Sequence, residues 1–148
     1  YYFLGKWSLE LNDYKSAEFF FKNGIDVDSL ESLNYNGLGI VQLEYYKNYF
    51  YALYLFLKAY KLKNNEASYI FNIGKTYQIL NDHKKAIFWY EKGLILEPNN
   101  LQILNDLAIS YAMIGEKEKA ISILKEVVKK DKNFKIAIEN LKLLRGER

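Results

Sequence analysis

The sequence predicts an all-α fold built from antiparallel helix pairs, and three observations indicate it. Alanines recur at Ala17, Ala52, Ala86 and Ala120, with spacings of 35, 34 and 34 residues. Each of them has a small residue 12 or 13 positions upstream and a large residue four positions downstream. Half of the 148 residues are hydrophobic, with one proline and eight glycines, which excludes disordered and collagenous classes. A sequence repeat of this length, with this pattern of small and large side chains, is typical of closely packed helix pairs.

The small residues allow two helices to approach, and the large residues fill the adjacent space. The small positions are Gly5, Gly39, Gly74 and Ala108, and the large positions are Phe21, Phe56, Tyr90 and Leu124. Gly37 and Gly39 have no preceding strand, no third glycine at phosphate-loop spacing and no following Lys-Ser or Lys-Thr. Helix packing, not nucleotide binding, therefore explains these two glycines.

Residues 67–100 carry the most complete copy of the pattern. In order, its defining positions are Ile73, Gly74, Tyr77, Ala86, Tyr90 and Pro98. In residue type and spacing this segment resembles the tetratricopeptide repeat family. The resemblance implies a right-handed superhelical solenoid in which each repeat contributes two antiparallel helices.

The other three copies depart from the pattern in different ways. Residues 1–31 begin three residues late and have Ser8 at the tyrosine position, so we expect an incomplete repeat with a short first helix. Residues 32–66 contain one extra residue around 45–48, which we expect to bulge the turn between the helices. Residues 101–134 keep the pattern except for the proline.

The end of the chain predicts a capping helix. Residues 134–145 are amphipathic and would cover the last apolar face of the array. Residues 1–148 are expected to form a single domain, and we expect a further element before the incomplete first repeat. The turn signals between paired helices are Asn12-Asp13, Asn48, Asn81-Asp82 and Gly115-Glu116.

Charge and composition narrow the classes of partner. The net charge of +3 is too small to indicate nucleic acid as the main partner. Residues 117–148 carry 10 basic against 5 acidic side chains, but no aromatic residues interleave the lysines between Lys117 and Lys132. No apolar run approaches the ~20 residues that a membrane-spanning helix needs. The lack of cysteine excludes disulfides and is compatible with the cytoplasm or the periplasm.

Catalysis and metal binding are not expected. His83 is the one histidine and lies in a predicted turn, with no cysteine to join it around zinc. The acidic residues are spread among lysines along predicted outer helix faces instead of converging in a pocket. We therefore expect no enzymatic activity, no cofactor and no metal site.

The resemblance implies a protein partner bound in a concave groove lined by the first helix of each repeat. The positions that it transfers are Tyr2, Lys6, Asn36, Ile40, Leu43, Phe71, Lys75, Gln78, Asn105, Ile109 and Met113. The amides could hold an extended peptide backbone and the apolar side chains could form pockets, unless the amides are merely solvated. Asp106 stands where chaperone-binding members have a cation, which argues against chaperone C-terminal tails as ligands.

A second candidate surface lies on the second helices, where aromatic residues take an outward position. We call it the convex aromatic face; it consists of Phe19, Phe50, Tyr51, Tyr54 and Phe88. Contiguous exposed apolar area usually marks an interaction site. The alternative is that these rings lie flat over their own helices or are covered by a preceding part of the protein.

The predicted function is a non-catalytic interaction module or scaffold. Its partner would be another protein, bound as a peptide segment or a folded domain through the groove, the aromatic face or both. Two alternatives remain open. The chain could be the regulatory or scaffolding arm of a larger enzyme, or it could be a structural array that assembles with copies of itself.

Overall fold

A computed structural model describes residues 1–147, which contain nine α-helices and no strand. This confirms the all-α helical repeat fold. The helices are α1 (Tyr2–Glu10), α2 (Tyr14–Val27), α3 (Ser32–Glu44), α4 (Tyr49–Leu62), α5 (Ala67–Ile79), α6 (His83–Leu96), α7 (Leu101–Met113), α8 (Lys117–Lys130) and α9 (Lys135–Arg145). They form two compact units, Tyr1–Thr76 and a second that begins at Tyr77.

The turns within the helix pairs lie at the predicted signals. Three of the four turns have three residues, whereas residues 45–48 form a four-residue turn between α3 and α4. Asn12, Lys47, Asn81 and Gly115 have positive φ angles of 58°, 55°, 63° and 91°. Asparagine and glycine tolerate this conformation well, which explains their use at three of these four turns. The extra residue of the second pair is thus confirmed as a longer turn.

Three of the second helices begin with the same cap. The side chains of Asp13, Asn48 and Asp82 each accept a hydrogen bond from a backbone N–H three residues later, at 3.1, 3.3 and 3.2 Å. This bond satisfies one of the N–H groups that a helix leaves without a partner at its first turn. The start of α2, α4 and α6 therefore follows directly from the local sequence.

The core of the first unit is built around Phe21, whose ring is fully buried. A Cβ on Gly5 would lie 2.6 Å from Phe21 Cε1, and one on Gly37 would lie closer still to the same ring. Helix α1, with 9 residues against 13 in α3, is short as expected. The packing explanation for Gly37 is confirmed, and the group that requires the glycine is an aromatic ring of α2.

The second unit has a core of Tyr90, Leu124 and Val127, all fully buried. Helix α9 packs on α7 and α8 and buries Ala137 and Leu141, so the predicted capping helix is present. It ends at Arg145, and the glycine that follows, Gly146, has a left-handed φ of 70°. Within residues 1–147, no helix is long and apolar enough to cross a membrane.

Candidate partner-binding surfaces

The groove positions of the first unit differ in accessibility. Lys6 is exposed, and the side chains at Tyr2, Asn36, Ile40, Phe71 and Lys75 are partly buried. Leu43 is buried in the core. A ligand on this side of the first unit would therefore meet Lys6 and the partly buried side chains, but not Leu43.

An amide pair joins α3 to α5 within the first unit. Asn72 Nδ2 donates a hydrogen bond to Asn36 Oδ1 at 2.9 Å, and Thr76 Oγ1 donates to the backbone oxygen of Asn72 at 2.7 Å. The acceptor oxygen of Asn36 is thus already used inside the protein.

Gln78 of the second unit is held by three hydrogen bonds. Its Nε2 donates to the backbone oxygen of Asp106 at 3.0 Å and to Ser110 Oγ at 2.9 Å. Its Oε1 accepts from Tyr90 Oη at 3.2 Å. Burial, with a smaller contribution from the charge of Asp106, raises the pKa of Tyr90 and keeps its hydroxyl protonated as a donor.

Asn105 is 1% exposed and lies inside the second unit. Its Nδ2 donates to Asp106 Oδ1 at 2.9 Å, and its Oδ1 accepts from Asn140 Nδ2 at 3.0 Å. A buried amide with both ends hydrogen-bonded stabilises the fold. A peptide backbone could reach it only after these bonds break.

Ile109 and Met113 lie at a small apolar pocket of about 130 Å³ in the second unit. The other lining residues are Ala112, Leu124, Asn140, Leu143 and Leu144. Met113 and Leu143 are both well exposed at this site. Leu143 lines this pocket but was not among the residues predicted from the sequence, because α9 was expected only to cap the array.

The convex aromatic face has four of its members in the first unit. Phe19, Phe50 and Tyr54 are 59%, 76% and 55% exposed. The rings of Tyr51 and Tyr54 are stacked, with centroids 6.1 Å apart and planes inclined by 13°. We refer to Phe19, Phe50, Tyr51 and Tyr54 as the first-unit aromatic surface.

Phe88 belongs to the second unit and is also exposed. Its ring meets Trp89 edge-on at 5.6 Å, and Lys92 Nζ lies 5.9 Å from its centroid. Its surroundings therefore include a cation and a neighbouring indole ring.

A cleft of about 310 Å³ opens beside Tyr51 and Tyr54, between α2 and α4. We call it the α2–α4 cleft; it is lined by Lys22, Ile25, Asp26, Tyr35, Leu38, Tyr51, Tyr54, Leu55 and Lys58. Its charged residues were not among those predicted from the sequence. A signal was present, since Lys58 follows Tyr54 by one helical turn and so lies on the same side of α4.

His83 is the first residue of α6, and its Nε2 lies 2.9 Å from Asn81 Oδ1. Among residues 1–147, no group of three or more His, Asp or Glu side chains could hold a metal ion.

Known proteins share the repeat pattern and the fold of this chain. The family model described as tetratricopeptide repeat matches residues 67–100. The chain is also similar to the uncharacterized protein ycf37 of Guillardia theta, with 36% identity over 74 residues. That match covers 50% of this chain and 42% of the relative, so the chain spans less than half the length of the curated relative that it matches.

Solved structures share the fold over nearly the whole chain. MamA of Desulfovibrio magneticus RS-1 superposes with a TM-score of 0.87 at 18% identity, covering 95% of this chain and 78% of that one. YrrB, described as a TPR protein with an unusual peptide-binding site, has a TM-score of 0.81 at 20% identity, covering 96% and 73%. The resemblance found in the sequence is therefore confirmed: residues 67–100 are a tetratricopeptide repeat, and the chain has the all-helical repeat fold of solved tetratricopeptide repeat proteins.

Proposed function

We propose that the chain is a non-catalytic protein-interaction module whose main partner site is the first-unit aromatic surface. The fold supports a protein partner in general terms. The observation that carries the choice of surface is the exposure of three large rings, Phe19, Phe50 and Tyr54, within one compact unit. Leaving such area in water is unfavourable by about 25 cal/mol per Å² of apolar surface, so a partner that covers it gains affinity.

The aromatic residue types also favour this surface. Tyrosine and phenylalanine are enriched in protein interfaces, and large rings often anchor them. The rings of Tyr51 and Tyr54 are stacked on each other, so a partner would meet the two rings together.

The hydrogen bonds that the groove amides already make also favour the first-unit aromatic surface over the groove. Gln78 and Asn105 were expected to hold a peptide backbone, but both take part in hydrogen bonds within the second unit. Breaking these bonds would oppose ligand binding.

A double substitution tests the proposal. Phe50→Ala with Tyr54→Ala should abolish capture of the partner from an extract of the source organism, with an unchanged helical CD spectrum. Phe88→Ala with Ile95→Ala is the matched control, since both side chains are exposed in the second unit. If the variant of Phe50 and Tyr54 is folded and keeps both its partner affinity and its oligomeric state, the proposal is refuted.

A second candidate is peptide binding at the groove positions of the second unit. The apolar pocket beside Ile109 and Met113 favours it, because such a pocket can take one apolar side chain of a peptide. The peptide-binding site in the description of YrrB supports the same class of ligand. Met113→Lys should then abolish partner capture while the variant of Phe50 and Tyr54 retains it.

The mass of the chain in solution distinguishes self-assembly from these two candidate functions. Sedimentation of the chain over a range of concentrations should give the monomer mass throughout if the partner is a different protein. A concentration-dependent mass that disappears with Phe50→Ala and Tyr54→Ala would instead identify a second copy as the partner.

A further inference from the structure

We propose that the α2–α4 cleft is the specificity site of the first-unit aromatic surface and binds a mixed-charge partner segment. The segment has one apolar side chain flanked by a carboxylate on one side and a cation on the other. This inference rests on the proposed function, because the cleft shares Tyr51 and Tyr54 with that surface.

The size of the cleft suits a single side chain, and part of its lining is apolar. Leu38 and Leu55 are nearly fully buried and contribute apolar groups to the lining. The stacked rings of Tyr51 and Tyr54 add an aromatic wall from α4. A volume of about 310 Å³ is at the lower end of the range for ligand pockets, which fits a side chain with adjoining backbone better than a larger ligand.

Lys58 supplies a cation without an opposite charge of its own. Its Nζ lies 4.7 Å from the centroid of the Tyr35 ring. Among the residues that the structure describes, no carboxylate oxygen comes within 4.0 Å of this ammonium group. A carboxylate of a partner would therefore add the first ion pair of Lys58.

Asp26 lines the same cleft from α2 and is likewise without an ion pair in residues 1–147. Lys22, the remaining charged residue of the lining, is paired with Glu18 at 2.6 Å. The cleft thus offers one unpaired cation on α4 and one unpaired anion on α2. Charge complementarity favours a segment that carries both signs over one that is uniformly acidic or basic.

Binding of short synthetic peptides, followed by amide NMR of the whole chain, tests the inference. The probes are acetylated, amidated peptides with a central phenylalanine flanked by Glu and Lys in either order, and analogues in which Gln replaces Glu or Lys. At least one mixed-charge order should shift the amides of α2 and α4 around the cleft, and each glutamine analogue should bind about three- to tenfold more weakly.

Charge reversal gives the sharper test. Lys58→Glu should weaken the mixed-charge peptide by a similar factor, and replacing the peptide's Glu by Lys should restore binding to that variant. Lys125→Glu, at an exposed lysine of α8 that does not line the cleft, is the matched control and should leave the affinity unchanged. Equal binding of all peptides, the absence of shifts at the cleft, or a failure of the rescue would each overturn the inference.

Partner capture distinguishes a failure of this inference from a failure of the proposed function. If partner capture depends on Phe50 and Tyr54 but withstands both Lys58→Glu and Asp26→Lys, the aromatic surface stands and the specificity site is refuted. If capture withstands the substitutions of Phe50 and Tyr54 as well, the proposed function fails on its own evidence.

Discussion

The ring of Phe56 occupies the space that a side chain on Gly39 would need. A Cβ at position 39 would lie 2.5 Å from Phe56 Cε1, closer than such carbons approach in proteins. Phe56 is fully buried, so its ring cannot move aside without displacing its protein neighbours. The small residue of α3 and the large residue of α4 are thus two halves of one contact.

Gly39→Ala is expected to destabilise the first unit. Alanine would raise helix propensity by about 1 kcal/mol, whereas overpacking costs about 1 to 3 kcal/mol, and the rigid surroundings of Phe56 place the cost at the upper end. Urea unfolding followed by CD should show a lower free energy of unfolding. Adding Phe56→Leu should recover part of the loss in a double-mutant cycle. A more stable single variant would contradict the steric account.

Ala120→Leu should destabilise the second unit by roughly 1 to 3 kcal/mol or more, because Ala120 is fully buried in α8. Ser122→Leu, on the exposed side of the same helix, is the control and should change stability by no more than about 0.5 kcal/mol. Thermal unfolding of the two variants makes the comparison; equal melting temperatures would refute close packing at Ala120.

Asn105→Ala should lower the free energy of unfolding by about 1 to 3 kcal/mol, since it removes the acceptor of Asn140 and a donor to Asp106 in a buried site. Asn133→Ala, at an exposed position before α9, is the control. If the two variants unfold alike in urea, the amide of Asn105 is not a structural group, and its expected role in peptide binding regains support.

Acidification should weaken the hydrogen bonds that the Glu18 carboxylate accepts from Lys22 and Tyr46. Burial alone would raise the pKa of this carboxyl, but hydrogen bonds from the Lys22 ammonium and the Tyr46 hydroxyl outweigh burial and hold the pKa below its ordinary value of 4.5. The stabilisation is therefore complete above pH 4.5 and is lost as the pH falls through the lower folded value. Melting temperatures of the wild type and Glu18→Gln should converge at acidic pH. A gap that widens on acidification would contradict this sign.

The helices and turns could be predicted from the sequence because their causes are local. Asp13, Asn48 and Asp82 cap the helices that they precede through bonds to residues three positions later. The extra residue before Asn48 lengthens the turn without changing α4, so counting along the chain located it correctly.

The side-chain partners could not be predicted in the same way. Helical periodicity shows which side of α7 Asn105 occupies, but not that Asn140 of α9 reaches it from 35 residues away. Groups that a helical pattern presents as available to a ligand can thus be occupied by a neighbouring helix.

Side-chain hydrogen bonds between alternate helices limit how the repeats can be recombined in chimeric proteins. Hydrogen bonds join Asn36 to Asn72, Gln78 to Ser110, and Asn105 to Asn140, and so connect α3 to α5, α5 to α7 and α7 to α9. A chimera that receives a single helix pair would contain the donor or the acceptor of such a hydrogen bond but not its partner. A graft that runs from α3 through α9 keeps both partners of all three hydrogen bonds and avoids this loss.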